Sequence, residues 1–292
     1  CSGGDRGFEQ DNTCRIWEVK TGQCTQVLAG HTDSVRQCVF SPSSSHGITL
    51  ATCSDDGTCR LWQVMTGNCA FVLEGHEKIV TSCAFSPDGA LLVSSSDDHT
   101  CRVWNVASGE CTAVLNGHSV GVSHCAFSPN SMFIASCSGY GHSACLVWNV
   151  ATSKCISVLD AHTSYCNRCS FSPSGDYLAS ASDDNTCRIW KIPTTTKTTE
   201  ETVLPVRAEG RPIYITAFSF SPSGDYLVSG DDAGTLRVWE TAKGKCLSIL
   251  QGHEAKIWQS VFSPNGDTLA SCSSDCTCRV WDVSAGKCTL VL

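Results

Sequence analysis

Short runs of apolar residues alternate with polar turn residues along the whole chain. Residues 79–115 contain four such runs, IVTSCAF, ALLVSSS, CRVWNV and CTAVL, which are separated by the segments SPDG, DDHT and ASGE. Runs rich in Val, Ala, Cys and aromatic residues, bounded by Gly, Pro, Asp and Ser, are typical of β-strands joined by tight turns. No stretch has a helical period over a useful length. The pattern predicts an all-β chain of short antiparallel strands.

The four-run pattern recurs at a regular interval. Seven segments resemble CRVWNV, and their tryptophans are separated by 42 to 49 residues. These tryptophans are Trp17, Trp62, Trp104, Trp148, Trp190, Trp239 and Trp281. A period in the low forties favours a radial repeat over two ordinary domains. Since one four-stranded unit cannot bury both of its faces alone, we expect the units to stack face to face around an axis.

These features resemble the WD40-repeat family over essentially the whole chain. The other matching marks are the Phe-Ser-Pro turns and the pairs Gly30-His31, Gly75-His76, Gly117-His118 and Gly252-His253. The resemblance implies a seven-bladed β-propeller of four-stranded antiparallel blades, as a single domain over residues 1–292. The expected blade ends lie near residues 31, 76, 118, 162, 210, 253 and 292, and the first blade is expected to be incomplete. Because this fold hosts many unrelated roles, the resemblance is strong for fold and weak for function.

Two segments complicate the repeat. The Thr-rich stretch 194–202 interrupts the fifth blade between its third and fourth strands, and we interpret it as a flexible surface loop. The incomplete first blade suggests that the protein is part of a larger chain or complex.

The charge balance argues against two classes of partner. The net charge is −8, from 20 basic and 28 acidic residues, and no basic block stands out. This is the wrong sign for sequence-independent binding to nucleic acid or to an anionic membrane surface. No apolar run approaches the roughly 18 residues of a membrane span. We therefore expect neither nucleic acid nor membrane as a partner.

Cysteine is unusually frequent, with 22 residues in 292. Most cysteines recur at fixed strand positions: three residues before the repeat Trp, at the start of the fourth run, two residues before a Phe, or in Ser-rich runs. A periodic cysteine in a strand favours a small buried apolar side chain, so we predict reduced core thiols rather than a disulfide framework. With no Asn-x-Ser/Thr sequon, this predicts a cytoplasmic location, with nucleus, cilium or cytoskeleton left open.

The sequence gives little sign of metal or cofactor chemistry. Cys166 and Cys169 form a C-x-x-C with no second pair at zinc-site spacing. Alternation along a strand predicts that their sulfurs point to opposite faces. No phosphate-binding loop and no dinucleotide motif is present. We expect no metal site and no cofactor.

The resemblance also implies a buried His–Ser/Thr–Asp–Trp network in each blade. Its members are His31, Thr52, Asp56 and Trp62; His76, Ser94, Asp98 and Trp104; His162, Ser180, Asp184 and Trp190; and His253, Ser271, Asp275 and Trp281. A catalytic triad would be one asymmetric set with an exposed nucleophile, so these recurring sets favour a structural role and no enzymatic activity. Two blades depart from the pattern, with His142 in the fourth and Arg211 and Ala233 in the sixth. Sequence drift and a dedicated site both explain these departures.

The resemblance further implies that positions six and four before the Phe of each innermost strand line the narrow face, where peptides dock. Tyr165, Tyr214 and Trp258 stand at such positions in consecutive blades, and Tyr140 lies in a nearby loop. Clustered exposed aromatic residues are typical of an interface hot spot, although local packing under loops is the alternative. The same face is expected to carry Arg36, Arg211, Asp55, Asp97, Asp183, Asp231 and Asp232.

These residues together predict a non-catalytic protein-interaction scaffold. An acidic rim favours a peptide or domain with Lys or Arg beside an apolar anchor, and ordinary turn aspartates are the alternative interpretation. A structural repeat module of a ciliary, centriolar or cytoskeletal assembly, binding through its rim, stays open as a second hypothesis. A hydrolase or redox protein is the least favoured.

Overall fold

The computed structural model describes residues 12–18, 20–42, 47, 50–139, 143–192, 201–205 and 213–292. Within these ranges the chain forms 26 β-strands and no α-helix. The alternation of short apolar runs and turn residues accounts for this, because each run is long enough for one strand only.

The strands of the first four sheets follow the chain in order. The first sheet contains β1 (Cys14–Glu18) and β2 (Gln23–Leu28). The second contains β3 (Val35–Phe40), β4 (Leu50–Ser54), β5 (Cys59–Gln63) and β6 (Asn68–Leu73). The third contains β7 (Val80–Phe85), β8 (Leu91–Ser96), β9 (Thr100–Asn105) and β10 (Cys111–Asn116). The fourth contains β11 (Val122–Phe127), β12 (Phe133–Ser138), β13 (Cys145–Asn149) and β14 (Lys154–Leu159).

The last three sheets repeat the arrangement. The fifth sheet contains β15 (Cys166–Phe171), β16 (Tyr177–Ser182), β17 (Thr186–Lys191) and β18 (Glu201–Pro205). The sixth contains β19 (Ile215–Phe220), β20 (Tyr226–Asp231), β21 (Leu236–Glu240) and β22 (Lys245–Leu250). The seventh contains β23 (Ile257–Phe262), β24 (Thr268–Ser273), β25 (Cys278–Asp282) and β26 (Lys287–Val291).

Each sheet is a meander in which strands adjacent in sequence are hydrogen-bonded neighbours. The described residues give six four-stranded sheets and one sheet of two strands. The strands pair in antiparallel fashion, for example Leu92 with Trp104 in the third sheet. The predicted all-β fold class, with seven antiparallel units of mostly four strands, is confirmed.

The chain divides into two compact units, each with its own core. The first comprises Cys1–Ser138 and Leu146–Val158, and the second Gly139–Cys145 and Leu159–Leu292. In the first unit, β3 lies against β7 and β7 against β11; in the second, β15 lies against β19 and β19 against β23. Leu61 and Val80 share a core between the second and third sheets, and Val228 and Ile257 share one between the sixth and seventh. Face-to-face stacking thus buries the apolar rows within each unit, and a closed ring stays a prediction.

The outermost strands end close to the residues predicted as blade ends. The outermost strands end at Leu28, Leu73, Asn116, Leu159, Pro205, Leu250 and Val291, one to five residues before the predicted blade ends. Of the predicted loop 194–202, residues 194–200 lie outside the described residues. The prediction is wrong for the last two residues of this loop: Glu201 and Thr202 begin β18 and pair with Trp190 and Ile189.

The innermost strand of every four-stranded sheet contains a β-bulge at the same place. The residue left outside the ladder is Arg36, Thr81, Ser123, Asn167, Thr216 or Trp258. A bulge adds one residue to a strand and re-aims its side chain. The prediction that Cys166 and Cys169 point to opposite faces is therefore wrong: the bulge at Asn167 shifts the alternation, and both side chains are buried.

The cysteines divide into a buried and an accessible group. Of the 21 cysteines described, eleven are buried, including Cys59, Cys101 and Cys187 on third strands. The prediction of core positions is wrong for the six on outermost strands, Cys24, Cys69, Cys111, Cys155, Cys246 and Cys288, which are half-buried or exposed. The outermost strand is a sheet edge, so the strand period leaves one of its faces in solvent.

Candidate functional site

A four-residue hydrogen-bond network links the second and third strands of the third sheet to the turn before it. The Nε1–H of Trp104 donates to Oγ of Ser94 at 2.8 Å. Nε2 of His76 lies 2.8 Å from the same Oγ, and Nδ1 of His76 lies 2.7 Å from Oδ2 of Asp98. The Asp98 carboxylate only accepts, so the single N–H of the neutral imidazole is on Nδ1, and Nε2 accepts the proton of the Ser94 hydroxyl. His76 is thus neutral, with its proton on Nδ1 donated to Asp98.

The same contacts recur in three more sheets. They join His31, Thr52, Asp56 and Trp62; His162, Ser180, Asp184 and Trp190; and His253, Ser271, Asp275 and Trp281. The hydroxyl residue at the centre of each set is at most 3% exposed. A hydrolase needs a nucleophile that substrate can reach. The arrangement satisfies buried polar groups and offers no such nucleophile.

Burial and hydrogen bonding fix the charge states of the network. Burial lowers the pKa of His76 below its usual value, against the opposing effect of Asp98. Burial alone would raise the pKa of Asp98, but hydrogen bonds from Thr100 and His76 outweigh it and hold this pKa at about 2. At neutral pH the histidine is therefore neutral and the carboxylate is charged.

Acidification is expected to destabilise the chain between pH 6.5 and 4. Burial lowers the pKa of His118 from 6.5 to about 4, so in this window the unfolded chain binds more protons and stability falls as the pH falls. At pH 5 this residue alone accounts for about 2 kcal/mol. Urea unfolding near pH 7.5 and pH 5 measures the loss. His118→Gln should shrink it and the exposed His99→Asn should not; an unchanged loss in His118→Gln contradicts the prediction.

The fourth sheet keeps part of the network through a residue that sequence reasoning missed. Oγ of Ser136 lies 2.7 Å from Nε2 of His118 and accepts the Nε1–H of Trp148 at 2.8 Å. Counting ten residues back from Trp148 fails here, because Ser136 stands twelve before it. The strand register would have found Ser136, which pairs with Cys125 as Ser94 pairs with Cys83. His142 lies outside the described residues.

The sixth sheet replaces the network with a buried ion pair. Trp239 still donates to Ser229 at 2.9 Å. Oδ2 of Asp231 accepts Nη1–H of Arg237 at 2.6 Å, and its Oδ1 accepts the backbone N–H groups of Ala233 and Thr235. The prediction of Asp231 as a rim residue is wrong, since it is 0% exposed. It ends β20 where other sheets have a buried serine, so its side chain points inward and needs the guanidinium.

The tryptophan of the first sheet also differs from the others. Trp17 is 56% exposed, whereas the other six tryptophans of the repeat motif are at most 4% exposed. In the described residues this sheet consists of β1 and β2, which supply no buried hydroxyl to the indole.

Two of the predicted binding aromatics are exposed on the second unit. Trp258 is 52% exposed and Tyr214 is 42% exposed. Tyr165 is half-buried, because its ring lies against the backbone of Gly139, where an added Cβ would stand 2.6 Å from Cε2 of Tyr165. Tyr140 and Arg211 lie outside the described residues. We call Tyr165, Tyr214 and Trp258 the aromatic patch.

Side chains at the bulges hold the strands of this patch together. Nδ2 of Asn167 donates to the carbonyl of Ile215 at 2.9 Å, and Oγ1 of Thr216 donates to the carbonyl of Ile257 at 2.5 Å. The first bond joins β15 to β19, and the second joins β19 to β23, close to the aromatic residues of the patch. Nζ of Lys256 lies 4.2 Å from the ring centroid of Trp258. Tyr165 and Tyr214 each stand directly before an innermost strand, and Trp258 stands at the bulge of the next one, so the three lie near the same end of consecutive strands.

The predicted acidic residues are half-buried and are held by their own chain. In the second unit, Asp183 accepts Nδ2–H of Asn167 at 2.7 Å and Asp232 accepts the N–H of Tyr214 at 3.1 Å.

In the first unit, Asp55 accepts two bonds from Arg36, at 2.5 and 2.7 Å, and raises the pKa of that guanidinium. The side chain of Asp97 lies against Gly121. The Arg36–Asp55 pair is neutral overall, so it adds no net charge to the first unit.

Within the described ranges, no group of three or more His, Cys, Asp or Glu side chains is placed to hold a metal ion. The same residues include no helix with the length and apolar character that a membrane span requires.

The sequence model of one family matches most of the chain. This family, WD40, is described as "WD domain, G-beta repeat", and the matches cover residues 22–63, 67–105, 109–149, 153–191, 208–240 and 244–282. No curated protein matches the chain at a significant level.

Proposed function

The chain belongs to the WD40-repeat family, and from that premise we propose that it is a non-catalytic scaffold that docks a peptide or a domain edge on the aromatic patch. WD40 repeats are generally protein-interaction scaffolds. The patch is the finer part of the proposal, and it rests on the geometry of the second unit.

The exposure of Trp258 and Tyr214 is the observation that carries the proposal. Every described tryptophan of a complete network is buried, yet Trp258 holds its ring 52% exposed at a bulge. Tryptophan and tyrosine supply most of the energy in protein interfaces, where they sit near the centre. Lys256 lies over the Trp258 ring and restricts it. This contact favours one orientation of the ring, and a partner that binds the ring in that orientation loses less entropy on binding.

The charges beside the patch support a partner with an apolar anchor and a basic flank. Asp183 and Asp232 place carboxylates next to Tyr165 and Tyr214 through backbone contacts. Half-buried carboxylates attract a partner's Lys or Arg and repel acidic flanks. Arg36 and Asp55 neutralise each other, so they are not assigned to the interface.

Peptide selection tests the proposal even while the partner is unidentified. A random displayed library is selected on the folded chain, and dissociation constants of the enriched peptides are measured on variants. Trp258→Ala and Tyr214→Ala are each expected to weaken binding by roughly thirtyfold or more, the range of an interface hot spot. The enriched sequences should place Lys or Arg near an apolar residue.

The matched controls remove exposed aromatic residues elsewhere. Trp17→Ala removes a tryptophan that is 56% exposed. Tyr226→Ala removes a tyrosine that is 40% exposed in the sixth sheet, which Tyr214 directly precedes. Both should leave binding unchanged, and thermal melts should show that all four variants fold. Peptides that bind Trp258→Ala as tightly as the wild type, or a selection that enriches nothing, would overturn the proposal.

A further inference from the structure

Three accessible cysteines on outermost strands each lie beside an arginine of the adjacent third strand. Nη1 of the arginine stands 3.9 Å from Sγ of the cysteine in each of the pairs Arg60–Cys69, Arg102–Cys111 and Arg279–Cys288. In each sheet the cysteine pairs in the ladder with the repeat tryptophan, and this tryptophan stands two residues after the arginine in the sequence. Cys111 is exposed, and Cys69 and Cys288 are half-buried. The thiols are thus within reach of a reagent in solvent.

The local packing holds these guanidinium groups in place. Each lies against the glycine of a Gly-His pair: a Cβ added at Gly30, Gly75 or Gly252 would stand 2.8 to 3.0 Å from Nη1. The buried Nε atoms of Arg60, Arg102 and Arg279 have no hydrogen-bond partner within the described residues. Ion pairs to a carboxylate are found there for Arg36 and Arg237 but not for these three. In the part of the chain that the structure describes, no direct ion pair therefore neutralises these three guanidinium groups beside the sulfur.

The chain contains two natural exceptions at the same strand position. In the fourth sheet Leu146 stands in place of the arginine and packs under Gly117 in the same way, so Cys155 has no guanidinium from that strand position. In the sixth sheet Arg237 is neutralised by Asp231, beside Cys246. Burial raises the pKa of the Cys155 and Cys246 thiols. These two cysteines are internal controls, since they share the strand position and lack the free guanidinium.

We propose that Cys69, Cys111 and Cys288 are modification sites for thiol–disulfide exchange with a small, negatively charged disulfide of the glutathione class. The guanidinium attracts the carboxylates of the reagent to the neighbouring sulfur, and it stabilises the negative charge that the sulfurs share during the exchange. This assignment is independent of the aromatic patch.

The exchange step balances without a further oxidant. The cysteine thiol gives up its proton, and its sulfur attacks one sulfur of the disulfide, so that a new S–S bond forms as the old one breaks. The departing thiolate takes up the proton and leaves as a free thiol. The small disulfide is the oxidant, and the product is a mixed disulfide on the strand edge.

Rates at individual cysteines test the proposal. The native chain is incubated with glutathione disulfide, quenched with acid, and modification at each cysteine is followed by peptide mass spectrometry. Cys111 is expected to react roughly tenfold faster than Cys155, although both are exposed, because a cation within about 4 Å of its sulfur attracts the anionic disulfide and stabilises the negative charge that the sulfurs share during the exchange. Arg102→Leu should bring Cys111 down to the rate of Cys155.

The exchange of side chains between the two sheets gives the reverse test. Leu146→Arg should accelerate Cys155, and Arg102→Lys should retain much of the rate at Cys111, with folding checked by thermal melts. If Leu146→Arg does not fold, the comparison of wild type with Arg102→Leu still decides the matter. A neutral alkylating reagent, such as iodoacetamide, separates activation of the sulfur from attraction of an anionic reagent. Equal rates at Cys111 and Cys155, or an Arg102→Leu rate equal to wild type, would overturn the proposal.

Discussion

Ser94→Ala is expected to lower the free energy of unfolding by about 3 kcal/mol. Ser94 is 0% exposed, and its hydroxyl serves two partners at once, accepting from Trp104 and donating to His76. Alanine leaves the indole N–H and the imidazole Nε2 buried and unpaired, and each unpaired group costs about 1–3 kcal/mol. The loss is larger than the small change in side-chain volume would produce.

Urea denaturation at neutral pH measures this loss, and the chain itself offers the control. The second sheet has Thr52 in the same place, where its Oγ1 makes the equivalent two bonds. Ser94→Thr keeps the hydroxyl and should stay within about 1 kcal/mol of wild type. A Ser94→Ala variant as stable as Ser94→Thr would show that the network contributes nothing beyond packing.

Asp231→Ala is expected to destabilise the second unit by about 3–5 kcal/mol, the usual result of breaking a buried ion pair by removing one partner. The side chain of Arg237 is only 12% exposed, and that of Asp231 1%. Alanine therefore leaves a guanidinium with little water around it. It also removes the acceptor of two backbone N–H groups in the following turn.

A double variant that copies the fourth sheet tests whether the fold requires the charged pair. In that sheet, Ser138 and Leu146 stand at the positions of Asp231 and Arg237. Asp231→Ser with Arg237→Leu should recover most of the stability, because apolar replacement of a buried pair is often neutral. Chemical denaturation of the single and double variants is the measurement. A double variant as unstable as Asp231→Ala would contradict this account.

The fold could be predicted from the sequence because its features recur at nearly constant spacings along the chain. The strands, the turns and the position of Trp104 relative to Ser94 and Asp98 are separated by nearly constant numbers of residues, so one sheet predicts the next. Hydrogen-bond register, however, is measured across a sheet and not along the chain. In the fourth sheet, extra residues between the second and third strands place the buried Ser136 twelve residues before Trp148 and not ten. Counting along the chain therefore misses it.

Contacts and irregularities within single sheets account for the other errors. Asp231 looked like a surface turn residue, and only its pairing with Arg237 on the next strand makes its burial possible. The bulge at Asn167 reverses the alternation that separated Cys166 from Cys169. The exposure of Trp258 was expected from its position in the strand, but the cation of Lys256 above its ring was not.

The recurring bulge also distinguishes a position whose residue varies between sheets from the positions that form the hydrogen-bonded ladder. Six strands keep the same apolar ladder, while the residue outside it is basic, hydroxylated, amidic or aromatic in different sheets. A substitution there breaks no backbone pairing within the sheet. At Asn167 and Thr216 it also removes a side-chain hydrogen bond to the following innermost strand, whereas the Trp258 ring is exposed and is free to differ. The residue at the bulge differs from sheet to sheet while the strands around it pair in the same way. Substitutions at this position can therefore change which partner is recognised without changing the fold.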